Sequence, residues 1–175
     1  MTHTIRALSP AEAGSVREQL IDLLVDAVES GASVNFVWPM TRQKSADWWD
    51  GALHSHARGE RVILVAEEAG RVLGSVQLIF PGQENQAHRG DIGKLLVHTG
   101  ARRRGLGAAL MLAAEAEAKA RGRKLLVLDT EAGSSGDRLY ERLGWTRFGV
   151  VPAYAMSADG THLADCAFFY KALGA

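Results

Sequence analysis

The chain has 175 residues, 47% of them hydrophobic and 23% charged, and its twenty basic and twenty acidic side chains leave a formal net charge of zero. That length and apolar content suit one core in one domain over residues 1–175 and exclude a disordered chain. The charge balance argues against a nucleic-acid partner, and no apolar run is long enough to span a bilayer.

Cys166 is the only cysteine, so no intrachain disulfide can form. Its apolar setting, Cys166-Ala167-Phe168-Phe169-Tyr170, reads as that of a buried, inert thiol. The opening residues Met1-Thr2-His3-Thr4-Ile5-Arg6 hold no apolar leader, and a cytoplasmic, unprocessed protein is expected.

A strand is predicted at residues 4–8. Ser9-Pro10-Ala11-Glu12 follows, with a capping hydroxyl, a proline suited to the first helical position and a glutamate at the third. One helix is expected from there to about residue 29, with Val16, Leu20, Leu23, Leu24, Ala27 and Val28 on one face and Gly31 at its end. Residues 32–40 show no period but carry Phe36 and Trp38, which can wall a pocket or pack in the core. A helix over 41–57 comes next. Trp48 and Trp49 are adjacent on it, so at most one of them reaches such a pocket. His54 and His56, two apart, face different ways and make no zinc pair.

A hairpin is predicted from strands at 61–68 and 71–80, turning at Ala69-Gly70, with Gly74 marking a weak spot or bulge. A loop at 81–86 leads to a strand at 87–98 with Asp91 near its start. The remainder reads as a helix at 106–121, a strand at 124–130, a helix at 134–143 and strands near 146–151 and 166–173. Ala158-Asp159-Gly160-Thr161 forms the turn between the last two. Such alternation predicts an α/β (α+β) domain with a mixed central sheet and helices on both faces.

One junction carries chemistry. The strand ending near His98 is followed by Arg102-Arg103-Arg104-Gly105-Leu106-Gly107 at the start of a helix. Glycines two apart leave backbone N–H groups open at a positive helix end, and arginines beside them can contact phosphate oxygens. A polar loop capping a helix would read the same way. No Walker-type loop and no Gly-x-Ser-x-Gly elbow is present, which removes two other common chemistries.

With Leu139-Tyr140-Glu141-Arg142-Leu143-Gly144-Trp145 following in order, the chain resembles the GNAT N-acetyltransferase superfamily nearly end to end. Gly31-Ala32-Ser33-Val34 and Leu128-Asp129-Thr130-Glu131-Ala132-Gly133-Ser134 are similar, more narrowly, to its tabtoxin-resistance type. The resemblance implies a mixed, splayed central sheet of about seven strands flanked by about four helices. It implies acetyl-CoA as cosubstrate, with no metal. Arg102, Arg103, Arg104, Gly105, Leu106, Gly107 and Ala108 would hold the diphosphate, Leu95, Leu96 and Val97 would pair with the pantetheine arm, and Ser134 and Ser135 would lie beside it. Gly133 stands where many members carry a cofactor-contacting asparagine, so contacts from that loop fall to backbone or serine.

Transfer to an amine needs a base, because the amine is mostly protonated at neutral pH, and an acid for the departing thiolate. Tyr140 stands where the family's phenolic acid usually stands. Asp91, shorter than the usual glutamate, and Asp129, at the carboxyl end of an apolar strand, are both candidates for the base. The two carboxylates can also bracket one ammonium group. Phe36, Trp38 and Asp129 are the candidate acceptor contacts. The implied reaction is direct acetyl transfer to the primary amine of a small molecule, such as a tabtoxin-like toxin or an antibiotic, by a monomer or homodimer and in detoxification. A peptide N-terminus as acceptor and a non-catalytic acyl-CoA sensor stay open.

Overall fold

The computed structural model describes residues 3–174; Met1, Thr2 and Ala175, and with them the start of the leader reading, lie outside the described residues. The chain runs β1 (Thr4–Ala7), α1 (Pro10–Ala13), α2 (Arg17–Glu29), α3 (Arg42–Ala57), β2 (Arg61–Glu68), β3 (Arg71–Ile79), β4 (Arg89–Val97), α4 (Leu106–Ala120), β5 (Leu125–Glu131), α5 (Ser135–Arg142), β6 (Thr146–Met156) and β7 (Leu163–Ala172). The capping box at Ser9 forms as predicted, its hydroxyl accepting from the Glu12 N–H while Glu12 reaches back to the Ser9 N–H. The expected single helix to Glu29 is broken: Gly14–Val16 tighten into a 3-10 turn between α1 and α2. Glycine, with no side chain to pack, is a cheap place for that change of pitch. Counting α1 and α2 as one interrupted body leaves four helices, the number expected.

All seven strands join one sheet in the order β1-β2-β3-β4-β5-β7-β6. Only β4 and β5 are parallel, and α4 makes the crossover between them. One sheet face, with Val62, Leu64, Val76, Leu78, Ile92 and Phe169, packs on α4 through Leu110, Met111 and Ala114. The other, with Ile63, Val65 and Leu96, packs on Leu20, Leu24 and Trp49 of α2 and α3. Gly74 sits beside a register shift against β2, and a Cβ there would come within 2.8 Å of the Leu96 carbonyl oxygen, so close strand approach also demands the glycine.

The last two strands run longer than the sequence predicts. β6 continues through Pro152 and Ala153 to Met156 because it is an edge strand, where a proline's missing N–H leaves no ladder bond unmade. The register slips twice along it, first between Arg147 and Gly149 and then across Pro152 and Ala153. β7 begins at Leu163 because Asp165 accepts from the Ala153 N–H at 2.9 Å, tying the early part of the pair together. None of the helices among the described residues is long and apolar enough to cross a membrane.

Candidate active site

The sheet opens where its two halves meet. β4 and β5 share three register pairs, Arg89 with Leu125, Gly90 with Leu126 and Asp91 with Val127, and then diverge. Beyond Asp91, the β5 side of β4 has no partner strand. The His98 N–H donates to Leu73 on β3 at 2.9 Å, so by the alternation of an antiparallel ladder the backbones of Leu95 and Val97 face the gap, while Leu96 faces β3. An extended arm can pair there as a further strand would.

At the end of β4 the chain turns through Thr99–Ala101 into the basic loop. Gly105 caps α4 in the left-handed conformation at φ +80°, and no side chain caps the helix. Among the described residues, the N–H groups from Arg103 to Ala108 have no hydrogen-bond acceptor. Those open donors, at the positive end of a fifteen-residue helix, fit a diphosphate. A Cβ on Gly107 would lie 3.3 Å from Leu139 Cδ2 and 3.9 Å from Val97 Cγ2, so this turn has little room for a side chain. The arginines divide their roles. Arg102 donates to the Val97 carbonyl at 3.2 Å and to Ser30 at 2.5 Å, and Arg104 pairs with Glu68 at 2.7 Å. Arg103, exposed and at φ +61°, makes no side-chain bond to the described residues. The expectation of three phosphate-facing arginines thus narrows to Arg103 and the backbone, since neighbours already hold the other two.

On the β5 side, Asp91 and Asp129 line one cavity of about 370 Å³ together with Arg89, Val127, Phe148 and Phe168. Asp91 pairs with Arg89 at 2.7 Å, yet burial outweighs that cation and raises its pKa, with Asp129 adding a smaller push. Asp129 is exposed, has no cation within salt-bridge distance among the described residues, and accepts from the Cys166 thiol at 3.4 Å. Burial, and then Asp129, drive the Cys166 pKa up to about 12, so this thiol stays protonated and inert, as its apolar setting predicts.

Tyr140 approaches from the opposite face of the sheet. Its ring is buried against Trp145 and Phe169, and no described group takes its hydroxyl proton. Its pKa is raised, first by burial and then by the nearby Asp129 charge. Ser134 caps α5 by accepting from the Asp137 N–H at 3.1 Å, so its hydroxyl is engaged; Ser135 is exposed. Gly133 donates to the buried Asp137 carboxylate at 2.6 Å, which places a backbone bond where the resemblance expects an asparagine side chain.

The two aromatic candidates part company. Phe36 meets Trp48 edge to face, ring centroids 5.9 Å apart, and both lie over the ammonium of Lys94. Trp38 is 57% exposed, its backbone is tied to Ala158 in the turn between β6 and β7, and it makes no ring contact with that pair. Trp49 is wholly buried, so of the adjacent tryptophans it is Trp48 that reaches the open side. His56 is also buried, with both ring nitrogens bonded to the carbonyls of Arg61 and Leu8. The described residues contain no cluster of three metal-ligating side chains.

Trp48 and Lys94 are additions to the site. The adjacency of Trp48 to Trp49 signalled that one would face outward, and a lone lysine in the apolar run Ile92–Val97, after Gly93, was the available signal for Lys94.

Comparison with known proteins agrees with this fold. The sequence model of the acetyltransferase (GNAT) family matches residues 18–145. The chain is 33% identical over 128 residues to an uncharacterized N-acetyltransferase from the hisH-hisA intergenic region of Azospirillum brasilense, covering 72% of this chain and 74% of that one. Its fold is similar to an N-acetyltransferase from Staphylococcus aureus Mu50, with TM-score 0.78, 21% identity and coverage of 99% and 100% of the two chains. It is equally similar to a GNAT superfamily phosphinothricin acetyltransferase from Sinorhizobium meliloti in complex with AcCoA, with TM-score 0.78, 22% identity and coverage of 99% and 90%.

Proposed function

This chain belongs to the acetyltransferase (GNAT) family and is an acetyl-CoA-dependent N-acetyltransferase; from that premise we propose that it acetylates the primary amine of a small molecule held between β4 and β5. The observation that carries this reading is the juxtaposition of an unpaired strand edge, a helix end with open N–H donors and two carboxylates lining one cavity of about 370 Å³. A cavity of that size, close to the lower end of the usual small-ligand range, suits a small acceptor.

When bound, acetyl-CoA supplies a thioester carbonyl open to attack. The chain supplies the rest. The open N–H groups of residues 103–108 hold the diphosphate, and the backbones of Leu95 and Val97 align the arm. Asp129, with no cation in salt-bridge contact among the described residues, takes the proton of the acceptor ammonium directly or through a water, and the neutral nitrogen attacks the carbonyl carbon. Asp91, tied to Arg89, helps hold the ammonium before that proton leaves. The C–N bond forms, the C–S bond breaks, and the departing thiolate, its charge met by the Tyr140 hydroxyl, takes up its proton from solvent.

Because burial raises the Tyr140 pKa, full proton transfer to a thiolate is uphill. Its hydroxyl therefore acts chiefly as a hydrogen-bond donor to the charge developing on sulfur. The acid and the base come from opposite faces of the sheet and meet in the gap between its halves. Resemblance to the tabtoxin-resistance type points to an amino-acid-like or toxin-like acceptor, and to a detoxifying role, within this reading.

The test is release of free thiol from acetyl-CoA against a panel of small amines, with mass spectrometry of the products. Thiol release without any acetylated amine, or acetyl-CoA binding without turnover on any amine, would overturn it in favour of a hydrolase or a sensor.

A further inference from the structure

Lys94 is placed in an unusual way. Opposite Val76, β4 presents both Lys94 and Leu95, because the register passes from Leu96 with Ser75 to Gly93 with Gln77. This is a bulge, and Lys94 sits in it at φ +50°, a conformation an unbranched but bulky residue seldom adopts. The bulge aims the side chain to the α3 side of the sheet, where its ammonium lies 5.5 Å from the Phe36 ring centroid and 5.1 Å from that of Trp48. No carboxylate pairs with it among the described residues. Burial lowers its pKa to about 8, with Arg61 adding to the effect and the Asp129 charge opposing it.

A second observation lies one rung away. Ser75 and Gln77 are wholly buried and alternate with Val76 and Leu78 of the α4 face, so they point to the same side as Lys94. Arg61 donates to Gln77 Oε1 at 2.7 Å, which fixes the amide and turns its NH2 away from the arginine. Among the described residues that NH2 has no acceptor, nor does the Ser75 hydroxyl. A half-buried cation with no carboxylate in salt-bridge contact among the described residues, one rung from a buried donor without an acceptor, is costly unless an anion completes the set.

We propose that Lys94, roofed by Phe36 and Trp48 and backed by the buried Gln77, forms a carboxylate subsite of the acceptor pocket, so that the amine substrate is a zwitterion held with its ammonium at Asp129 and its carboxylate at Lys94. This rests on the acetyl-transfer reading above and makes Lys94 the residue that sets acceptor class. Asp129 supplies the opposite pole from β5, across the gap that opens beyond the pair of Asp91 with Val127, three residues before Lys94 on β4. The aromatic rings exclude water from the ammonium and strengthen its pull on a carboxylate.

The experiment pairs α-, β- and γ-amino acids with their own carboxamides, which keep the amine and remove the negative charge. Thiol release is measured on the wild type and on Lys94→Met, and the same pairs are titrated calorimetrically onto both proteins with CoA present. For at least one pair the carboxylate is expected to be favoured by about tenfold or more in kcat/KM or in Kd, and Lys94→Met to bring that ratio to about one. A wild-type ratio near one for every pair, or a preference that survives in folded Lys94→Met, overturns the subsite. If Lys94→Met fails to fold, the wild-type ratios decide alone. Acetyl-CoA titration separates the two readings: loss of acetyl-CoA binding by the wild type would refute acetyl transfer, while the carboxylate-to-carboxamide binding ratio would still judge Lys94.

Discussion

The two ends of the cleft are built from different materials. The loop at residues 102–108 is made of backbone, six successive N–H groups from Arg103 to Ala108 opened by one left-handed glycine, and two of its three arginines are occupied elsewhere. The acceptor side is made of side chains from five separate segments: Phe36, Trp48, Lys94, Asp129 and Tyr140. A backbone site is indifferent to most substitutions and fails only when a Cβ intrudes. A side-chain site loses function atom by atom, which lets it change acceptor while the cosubstrate end stays fixed.

The sharpest way to break that contrast is one oxygen atom. Tyr140→Phe keeps the packing on Trp145 and Phe169 and removes only the hydroxyl, so kcat is expected to fall by about 10²- to 10³-fold with acetyl-CoA affinity unchanged. Steady-state kinetics beside acetyl-CoA titration decides it; loss of both would mark a structural tyrosine.

Next come the carboxylates. Asp129→Asn is expected to lower kcat by roughly 10²-fold and to abolish the acidic limb of the pH–rate profile, because a base works only above its pKa. Asp91→Asn should chiefly raise the acceptor KM. If Asp91 is the base instead, the limb survives in Asp129→Asn and lies above the ordinary carboxylate range, the direction in which burial moves Asp91. A profile untouched by either change would leave the amine losing its proton to bulk water.

On the backbone side, Gly107→Val crowds Leu139 and Val97 and should weaken acetyl-CoA binding at least about tenfold. Arg104→Ala should alter that Kd by less than about threefold, since its guanidinium pairs with Glu68 on the surface. Equal losses from the two variants would mean that the loop binds through its side chains after all.

The smallest effect is one of stability. With its pKa lowered to about 8 from the ordinary 10.5, Lys94 binds fewer protons folded than unfolded between those values. Its destabilising contribution is therefore complete below pH 8 and relieved as pH rises toward 10.5. The Tm advantage of Lys94→Met over the wild type should shrink across that window. A gap independent of pH would show that the ammonium is not desolvated.

The same division explains what could be read without coordinates. Arg102–Gly107 is contiguous, so its glycines announced the loop, and the alternation of strands and helices gave the sheet around it. The break at Gly14 was written as a glycine, but nothing local distinguishes a change of pitch from a tolerated helical glycine. The end of β6 was hidden because Pro152 reads as a breaker unless the strand is known to be an edge. Asp129 and Tyr140 stood out as candidates through their neighbours in the sequence. Lys94 and its roof were not, because a bulge reverses the facing that simple alternation assigns, and because Phe36, Trp48 and Lys94 meet only through tertiary packing.

The three register pairs joining β4 to β5 bear on more than the shape of the cleft. They leave β1–β4 and β5–β7 bridged by little sheet hydrogen bonding at the centre of the molecule, with an open strand edge just beyond. Whatever lies along that edge bonds to one half and packs on the other, and so acts as a structural member. By mass action a ligand at a hundred times its Kd adds about 2.7 kcal/mol to folding stability, a sizeable fraction of what a domain of this size possesses. The resistance of this protein to heat and to proteolysis would then rise and fall with the local supply of acetyl-CoA, making its lifetime a record of how well charged its surroundings are.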